Sequence, residues 1–237
     1  MKYFSLALIL VLSTAAVQAE ELTLIAGLSL PPYVIQESNS GMEYDVIKEA
    51  LAFKGHTLVM KYVPFARVSV DYPKYDGAIT INESSGAKGN YSDQVITYQN
   101  YAVTLKSKGI NINSIADLKN KKIIAFQNAT KYLGDEFAEV VKGNAKYREL
   151  GQQVKQVKLL YSGRTDVVVS DINIFKYFRK SVTDVDTTAE ITLHEIFDGV
   201  AYKVLFNDAA LRDDFNAGLK SLKDSGRYDE IVNSYIK

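Results

Sequence analysis

The sequence predicts an α/β protein of two lobes, each a mostly parallel sheet flanked by helices. Three observations carry this. Val167-Val168-Val169 is a run of β-branched residues without alternation, the pattern of a strand buried on both faces. It follows the turn Ser162-Gly163-Arg164-Thr165 and ends at the carboxylate of Asp171, at the strand end where open α/β sheets bind ligands. The unit recurs in Pro73–Asn82, PKYDGAITIN, where a turn leads through Asp76 into Gly77–Thr80 and the polar Asn82 follows. Two such units suggest two lobes presenting polar groups to a shared cleft.

The first element is a buried strand, Leu22–Ala26, ended by Pro31-Pro32-Tyr33. Gly41–Asp45 leads into a helix over Val46–Lys54, with Val46, Ile47, Ala50 and Leu51 on one face and Gly55 as its stop. Thr57–Tyr62 is the second strand, and the order strand, helix, strand implies a parallel pair with a right-handed crossover. Pro64–Arg67 starts a short helix that Pro73 must end. Gly77–Ile81 is a strand, Glu83–Asn90 an aperiodic loop with two glycines, and Tyr101–Leu105 a further strand.

Downstream, Ser114 and Asp117 form a capping pattern for a short helix through Lys119. Lys122–Phe126 is a strand. The turn Gln127–Thr130 then opens a helix over 131–142, with Leu133, Phe137, Val140 and Val141 on one face. Backbone N–H groups at such a turn are a ready site for a carboxylate or other anion. Helices follow at Gly151–Leu160 and Ile172–Lys180. Ala201–Phe206 is a strand that returns the chain to the first lobe. Asp208 caps a helix bearing Leu211, Phe215, Leu219 and Leu222, Gly226 stops it, and a last helix carries Tyr228, Ile231, Val232 and Tyr235.

The 237 residues open with an export signal: Lys2, the apolar core SLALILVL at 5–12, and small residues at Val17-Gln18-Ala19. The apolar run is short for a membrane span. Residues 20–237 remain, enough for two lobes of about a hundred residues each. Cysteine is absent, so an exported chain relies on its packed core. Lys+Arg and Asp+Glu are both 28, which argues against nucleic acid or an anionic surface as partner. Sixteen tyrosines and ten phenylalanines offer rings to a core and to a ligand. His56 and His194 lack metal-ligand spacing, and neither a nucleophile elbow, a Walker loop nor H-E-x-x-H occurs, so no metal or cofactor is expected.

The order of parts resembles the bacterial extracellular solute-binding proteins of family 3, the amino-acid type that serves ABC importers. The pieces are PPY at 31–33, GMEYDVIKEAL at 41–51, YVPFAR at 62–67, KYDGAI at 74–79 and YSD at 91–93. They continue with SIADLKNKKIIAFQ at 114–127, SGRTDVVVSD at 162–171 and FNAGLKSLKDSGRYDEIVNSY at 215–235. The resemblance implies the type II periplasmic-binding fold, with 20–104 plus 202–237 as lobe one and 105–201 as lobe two. Hinges would lie in Tyr101–Leu105 and Ala201–Phe206, with the ligand between the lobes.

The resemblance also nominates site residues, each beside a plainer role. Asp171 matches the carboxylate that takes a ligand's ammonium group, and it equally suits an N-cap for the helix at 172–180. Tyr33 and Phe65 match positions where a ring meets the ligand, against core packing. Thr80 and Asn82 are placed to hydrogen-bond a ligand or to satisfy turn backbone, and Asn128 and Thr130 to do so or to cap a helix. Asp76 and Asp166 read as turn residues, and Arg164 as a surface group or a carboxylate's partner. The family's carboxylate-binding Arg has no counterpart in the Glu83–Asn90 loop, ESSGAKGN. Lys88 is the cation there and Arg67 another candidate, but a Lys does not reproduce the fork of an Arg.

The expected function is capture of a small, polar, amine-bearing, amino-acid-like solute by a monomeric periplasmic protein that closes on a hinge and docks on a membrane ABC permease. The alternatives are docking of the same closed form on a membrane sensor, or an enzyme on the same fold. For the last, no convergent acid–base pair is visible, and nothing in the sequence brings Glu43 near Asp171.

Overall fold

A computed structural model of the chain describes residues 19–236. The export signal expected at 1–19 lies, apart from Ala19, outside them, as does Lys237. No helix among the described residues is long and apolar enough to cross a membrane.

Strands β1 (Glu21–Ala26) and β2 (Thr57–Tyr62) pair in parallel, Glu21 opposite Thr57 and Ala26 opposite Tyr62. Helix α1 (Met42–Ala52) connects them and buries Val46, Ile47, Ala50 and Leu51 against the sheet. It starts four residues before the expected Val46. The reason is local: the N–H groups of Met42 and Glu43 donate to the carbonyls of Pro32 and Tyr33, at 2.9 and 3.0 Å. Those donors need no side-chain cap, and the Tyr33 backbone is thereby tied to the start of α1. Gly41 has φ 121°, and a Cβ there would stand 2.3 Å from the Tyr33 carbonyl oxygen, so only glycine allows this close approach.

Helix α2 (Phe65–Asp71) leads to β3 (Gly77–Ile81), which pairs in parallel with β1. The loop expected at 83–90 holds one short turn and ends at β4 (Asn90–Tyr91), followed by β5 (Ile96–Tyr98). The strand β6 (Asn100–Leu105) begins the second sheet. There β7 (Ile123–Phe126) is followed by α3 (Ala129–Tyr132) and α4 (Asp135–Val141). One helix was expected over 131–142. Gly134, at φ 87°, breaks it into two.

Next come β8 (Tyr147–Leu150), α5 (Gln153–Tyr161), β9 (Val167–Asp171), α6 (Ile172–Ser181) and β10 (Ile191–His194). The chain returns through β11 (Val200–Phe206) to α7 (Ala209–Asp224) and α8 (Arg227–Ile236).

The first sheet runs β2-β1-β3-β11-β4, with β5 also on β11; the second runs β10-β6-β9-β7-β8. In each, three parallel strands are joined by an antiparallel strand that carries the chain between lobes, β11 in the first and β6 in the second. The whole of β6 pairs within the second sheet, Asn100 opposite Asp171, so residues 100–104 sit there rather than in the lobe-one sheet expected of them. Gly199 packs against Thr97, and the Gln99 side chain donates to the Phe197 carbonyl at 2.9 Å, so the two crossing segments run side by side. Each lobe has its own apolar core. Tyr33 and Ile174, from opposite lobes, share one buried cluster, which Tyr132, Leu133 and Phe178 cover: the lobes are closed on one another.

Candidate functional site

The parallel strands of both sheets end at a cleft of about 260 Å³. This is small beside the roughly 300–1,000 Å³ of pockets that hold drug-sized ligands. Lobe one contributes Leu28, Leu30, Pro64, Phe65 and Thr80, and lobe two contributes Phe126, Gln127, Gln152, Gln153, Asp171 and Ile174. Tyr98, Asn100 and Tyr202 enter from the crossing segments. The lining is largely apolar, and no lysine or arginine among the described residues belongs to it.

Asp171 lies at the C-terminal end of β9 and is 2% exposed. Its Oδ1 accepts the N–H groups of Asn173 and Ile174 at 2.9 and 3.0 Å, so it caps α6. Its Oδ2 accepts the Gln99 N–H of the crossing segment and the Tyr33 hydroxyl of lobe one, both at 2.9 Å. The Asn173 side chain donates to the Tyr33 oxygen at 3.1 Å. One carboxylate therefore grips its own helix, the hinge and the opposite lobe. Its four acceptor positions are all filled. Burial pushes its pKa up to about 6, and the donated hydrogen bonds work against that shift.

A second carboxylate stands behind the wall. Glu43, in the first turn of α1, is fully buried, and burial raises its pKa to about 7 despite hydrogen bonds from Tyr98 and Thr80. Its position follows from a fault in the sheet. Between β3 and β11 the register slips: Ile81 faces Lys203, but Ala78 faces Leu205. Thr80 falls in this bulge at φ 53°, an unfavourable value for a β-branched residue. Its N–H donates to Glu43 Oε1 at 3.0 Å, and its hydroxyl is 3.0 Å from both carboxylate oxygens. The Tyr98 hydroxyl donates to Glu43 Oε2 at 2.8 Å, while the Tyr98 ring stacks on Tyr33 at 3.8 Å. Glu43 and Asp171 thus flank one pair of stacked tyrosines. No sequence pattern indicated this, because it depends on strand register.

Of the residues nominated from the sequence, Phe65, Thr80 and Asp171 line the cleft, and Tyr33 is buried directly behind it. Asn82 does not: its side chain donates to the Ala201 carbonyl and accepts the Ser84 N–H, which serves a turn. Arg67 is on the surface of α2, bidentate on Asp71 one turn along, and Lys88 is exposed in its loop outside the cleft.

Asn128 and Thr130 do form an anion site at the β7 turn, but Glu149 of the neighbouring β8 fills it. Its carboxylate accepts the Asn128 N–H at 2.7 Å, the Thr130 N–H and hydroxyl at 3.3 Å, and the Tyr147 hydroxyl at 2.8 Å. Glu149→Ala should cost about 1 kcal/mol, since these half-buried donors turn to water, and urea unfolding checks it.

Asp76 and Asp166 accept the N–H groups of Thr23 and Lys122, as turn residues do. His56 lies 3.4 Å from Asp214, and His194 lies 3.0 Å from the Thr104 hydroxyl. Both have local partners, and no group of three metal-ligating side chains occurs among the described residues.

Sequence reasoning missed Tyr98, Asn100, Tyr202, Gln152 and Gln153 as lining residues. A signal was present: Tyr98 and Asn100 are two apart on the crossing segment, so both point to one side.

The model of the bacterial extracellular solute-binding proteins, family 3, matches residues 22–237. The ABC transporter glutamine-binding protein GlnH of Bacillus subtilis (strain 168) is 28% identical over 163 residues, 67% of this chain and 56% of that protein. The match thus spans little more than half of that relative's length. The arginine-binding periplasmic protein of Mannheimia haemolytica is 24% identical over 219 residues, 88% of each chain. Among solved structures, an ancestral arginine-binding protein bound to arginine superposes with a TM-score of 0.76 at 22% identity, covering 93% of this chain and 100% of that one. At that identity the likeness shows the fold, the two-lobed type II periplasmic-binding architecture.

Proposed function

The chain belongs to the bacterial extracellular solute-binding proteins of family 3, and from that membership we propose that it captures a small amine-bearing solute that carries no carboxylate. The observation that carries this is the lining of the closed cleft, where Asp171 is the charged residue and no lysine or arginine stands with it. An α-amino acid would bring a carboxylate into an apolar cleft that has Asp171 in its lining, Glu43 just behind its wall and no cation among the described lining residues. A charge desolvated without a partner is strongly unfavourable. A lone ammonium meets the opposite situation, because Asp171, joined by Glu43 above its raised pKa of about 7, attracts it through a medium of low polarity.

The glutamine- and arginine-binding relatives support import as the destination: the chain would leave the cytoplasm on the signal at 1–19, bind in the periplasm and hand its solute to an ABC permease. Binding, rather than catalysis, fits the two acids. Asp171 has every acceptor position filled, and Glu43 is sealed from the cleft, so neither offers a proton or a lone pair to a bound molecule. We place lobe one at about 20–98 with 200–237 and lobe two at about 100–198, following the strand pairings.

Thermal unfolding of residues 20–237 against paired solutes tests the proposal: tyramine with tyrosine, cadaverine with lysine, agmatine with arginine. A ligand at a hundred times its dissociation constant adds about 2.7 kcal/mol. At least one amine should raise the midpoint while its amino acid leaves it unmoved. An amino acid that matches or exceeds its amine would refute the reading.

A further inference from the structure

Aromatic rings make up much of the cleft wall. Phe65, Tyr98, Phe126 and Tyr202 all line it. Tyr98 and Tyr202 meet at 4.6 Å and 59°, which makes a corner of two ring planes, and the series continues through Tyr132, 5.6 Å from Tyr202 and 5.7 Å from Phe65. The wall thus spans both lobes. Among the described residues the cleft lining holds the buried carboxylate of Asp171, with Glu43 behind it, and no lysine or arginine; Lys131 lines the neighbouring pocket with Phe65, Thr80 and Tyr132.

An ammonium drawn into this cleft finds no free carboxylate oxygen. Asp171 accepts four protein N–H or O–H groups, and the Glu43 oxygens face Thr80 and Tyr98. The polar atoms left over belong to neutral groups. Asn100 and Tyr202 are 2% and 3% exposed, and they bring an amide and a phenol to the cleft lining. A primary ammonium gives up strong hydration for its three N–H groups and recovers only amide and phenol acceptors. An N-alkylated ammonium has little such hydration to lose. Its methyl groups pack on the rings, and its charge is held by the ring faces and by the field of the buried acids.

Resting on the amine-capture reading above, we propose that the cleft selects N-alkylated ammonium solutes, quaternary ones above all, bearing one neutral hydrogen-bonding group for Asn100 and Tyr202 and no carboxylate.

Three probes of related size separate the contributions: choline, its primary amine ethanolamine, and the uncharged isostere 3,3-dimethylbutan-1-ol. Calorimetric titration of residues 20–237 should give choline an affinity at least tenfold above each of the other two. Phe65→Leu, which keeps an apolar side chain on the half-buried wall but removes its ring, should weaken choline about fivefold and leave the uncharged isostere unchanged. If ethanolamine equals or exceeds choline, the inference falls while amine capture stands. If the uncharged isostere equals choline, or Phe65→Leu weakens both alike, charge recognition by the rings is refuted. If neither these probes nor the amines of the thermal panel bind, both readings fail together.

Discussion

Glu43→Gln is expected to stabilise the protein at pH 8 and to flatten its dependence on pH. The carboxyl is enclosed by Thr80 and Tyr98 with no cation near it, and burial lifts its pKa from 4.5 to about 7. A carboxyl whose native pKa is raised holds more protons folded than unfolded between those two values. Stability is therefore full below about pH 4.5 and is lost as pH rises through about 7. A shift of that size corresponds to roughly 3 kcal/mol at alkaline pH, since one unit is worth about 1.4 kcal/mol. Asp171, raised from 3.8 to about 6 by the same cause, adds a loss of the same sign over a lower window.

Glutamine keeps an oxygen for the Thr80 N–H and replaces the charge with an amide that donates to Tyr98. The variant should unfold about 6–12 °C higher than the parent at pH 8 and within a few degrees of it at pH 4.5. Parallel melting curves across that range would show that Glu43 does not titrate between folded and unfolded states, and the account of its burial would be wrong.

Tyr33→Phe is expected to cost about 2 kcal/mol, the value of a hydrogen bond to a charged group. The ring stays, stacked on Tyr98 at 3.8 Å and packed with Ile174 of the other lobe. What goes is the hydroxyl that donates to Asp171 and accepts from Asn173 across the cleft. Both bonds join lobe two to lobe one, so the substitution should also shift the ligand-free protein towards an open form. Small-angle scattering should record a larger radius of gyration than in the parent. Loss of stability without any change in radius would make the hydroxyl a core contact rather than a latch.

The strands that end at the cleft were legible because they are buried on both faces. Val167–Val169 and Gly77–Ile81 show this as apolar or β-branched runs, and the carboxylate of Asp171 marked the right strand end. Of the two roles foreseen for Asp171, the structure shows the cap of α6, and it also places the residue in the cleft lining.

Strands β8 and β10 were not legible, because Tyr147–Leu150 and Ile191–His194 are short, half-polar and at sheet edges, where no apolar period is required. Glu43 looked like an ordinary acidic residue in a first helical turn. Its burial is decided by Thr80 and Tyr98, 37 and 55 residues away, through a slip in strand register. The turn at Asn128 and Thr130 was legible as one that presents N–H groups to an anion, but the carboxylate that takes them, Glu149, comes from the strand that sequence reasoning did not find.

The most direct measurement is calorimetric titration of residues 20–237 with tyramine and tyrosine, or with whichever amine and amino-acid pair gives the larger thermal shift. One site per chain is expected for the amine and at least a hundredfold weaker binding for the amino acid, because the carboxylate meets buried acids and no cation among the described lining residues. Equal or tighter binding of the amino acid would contradict this expectation and would require a cation in the cleft that the closed structure does not place there.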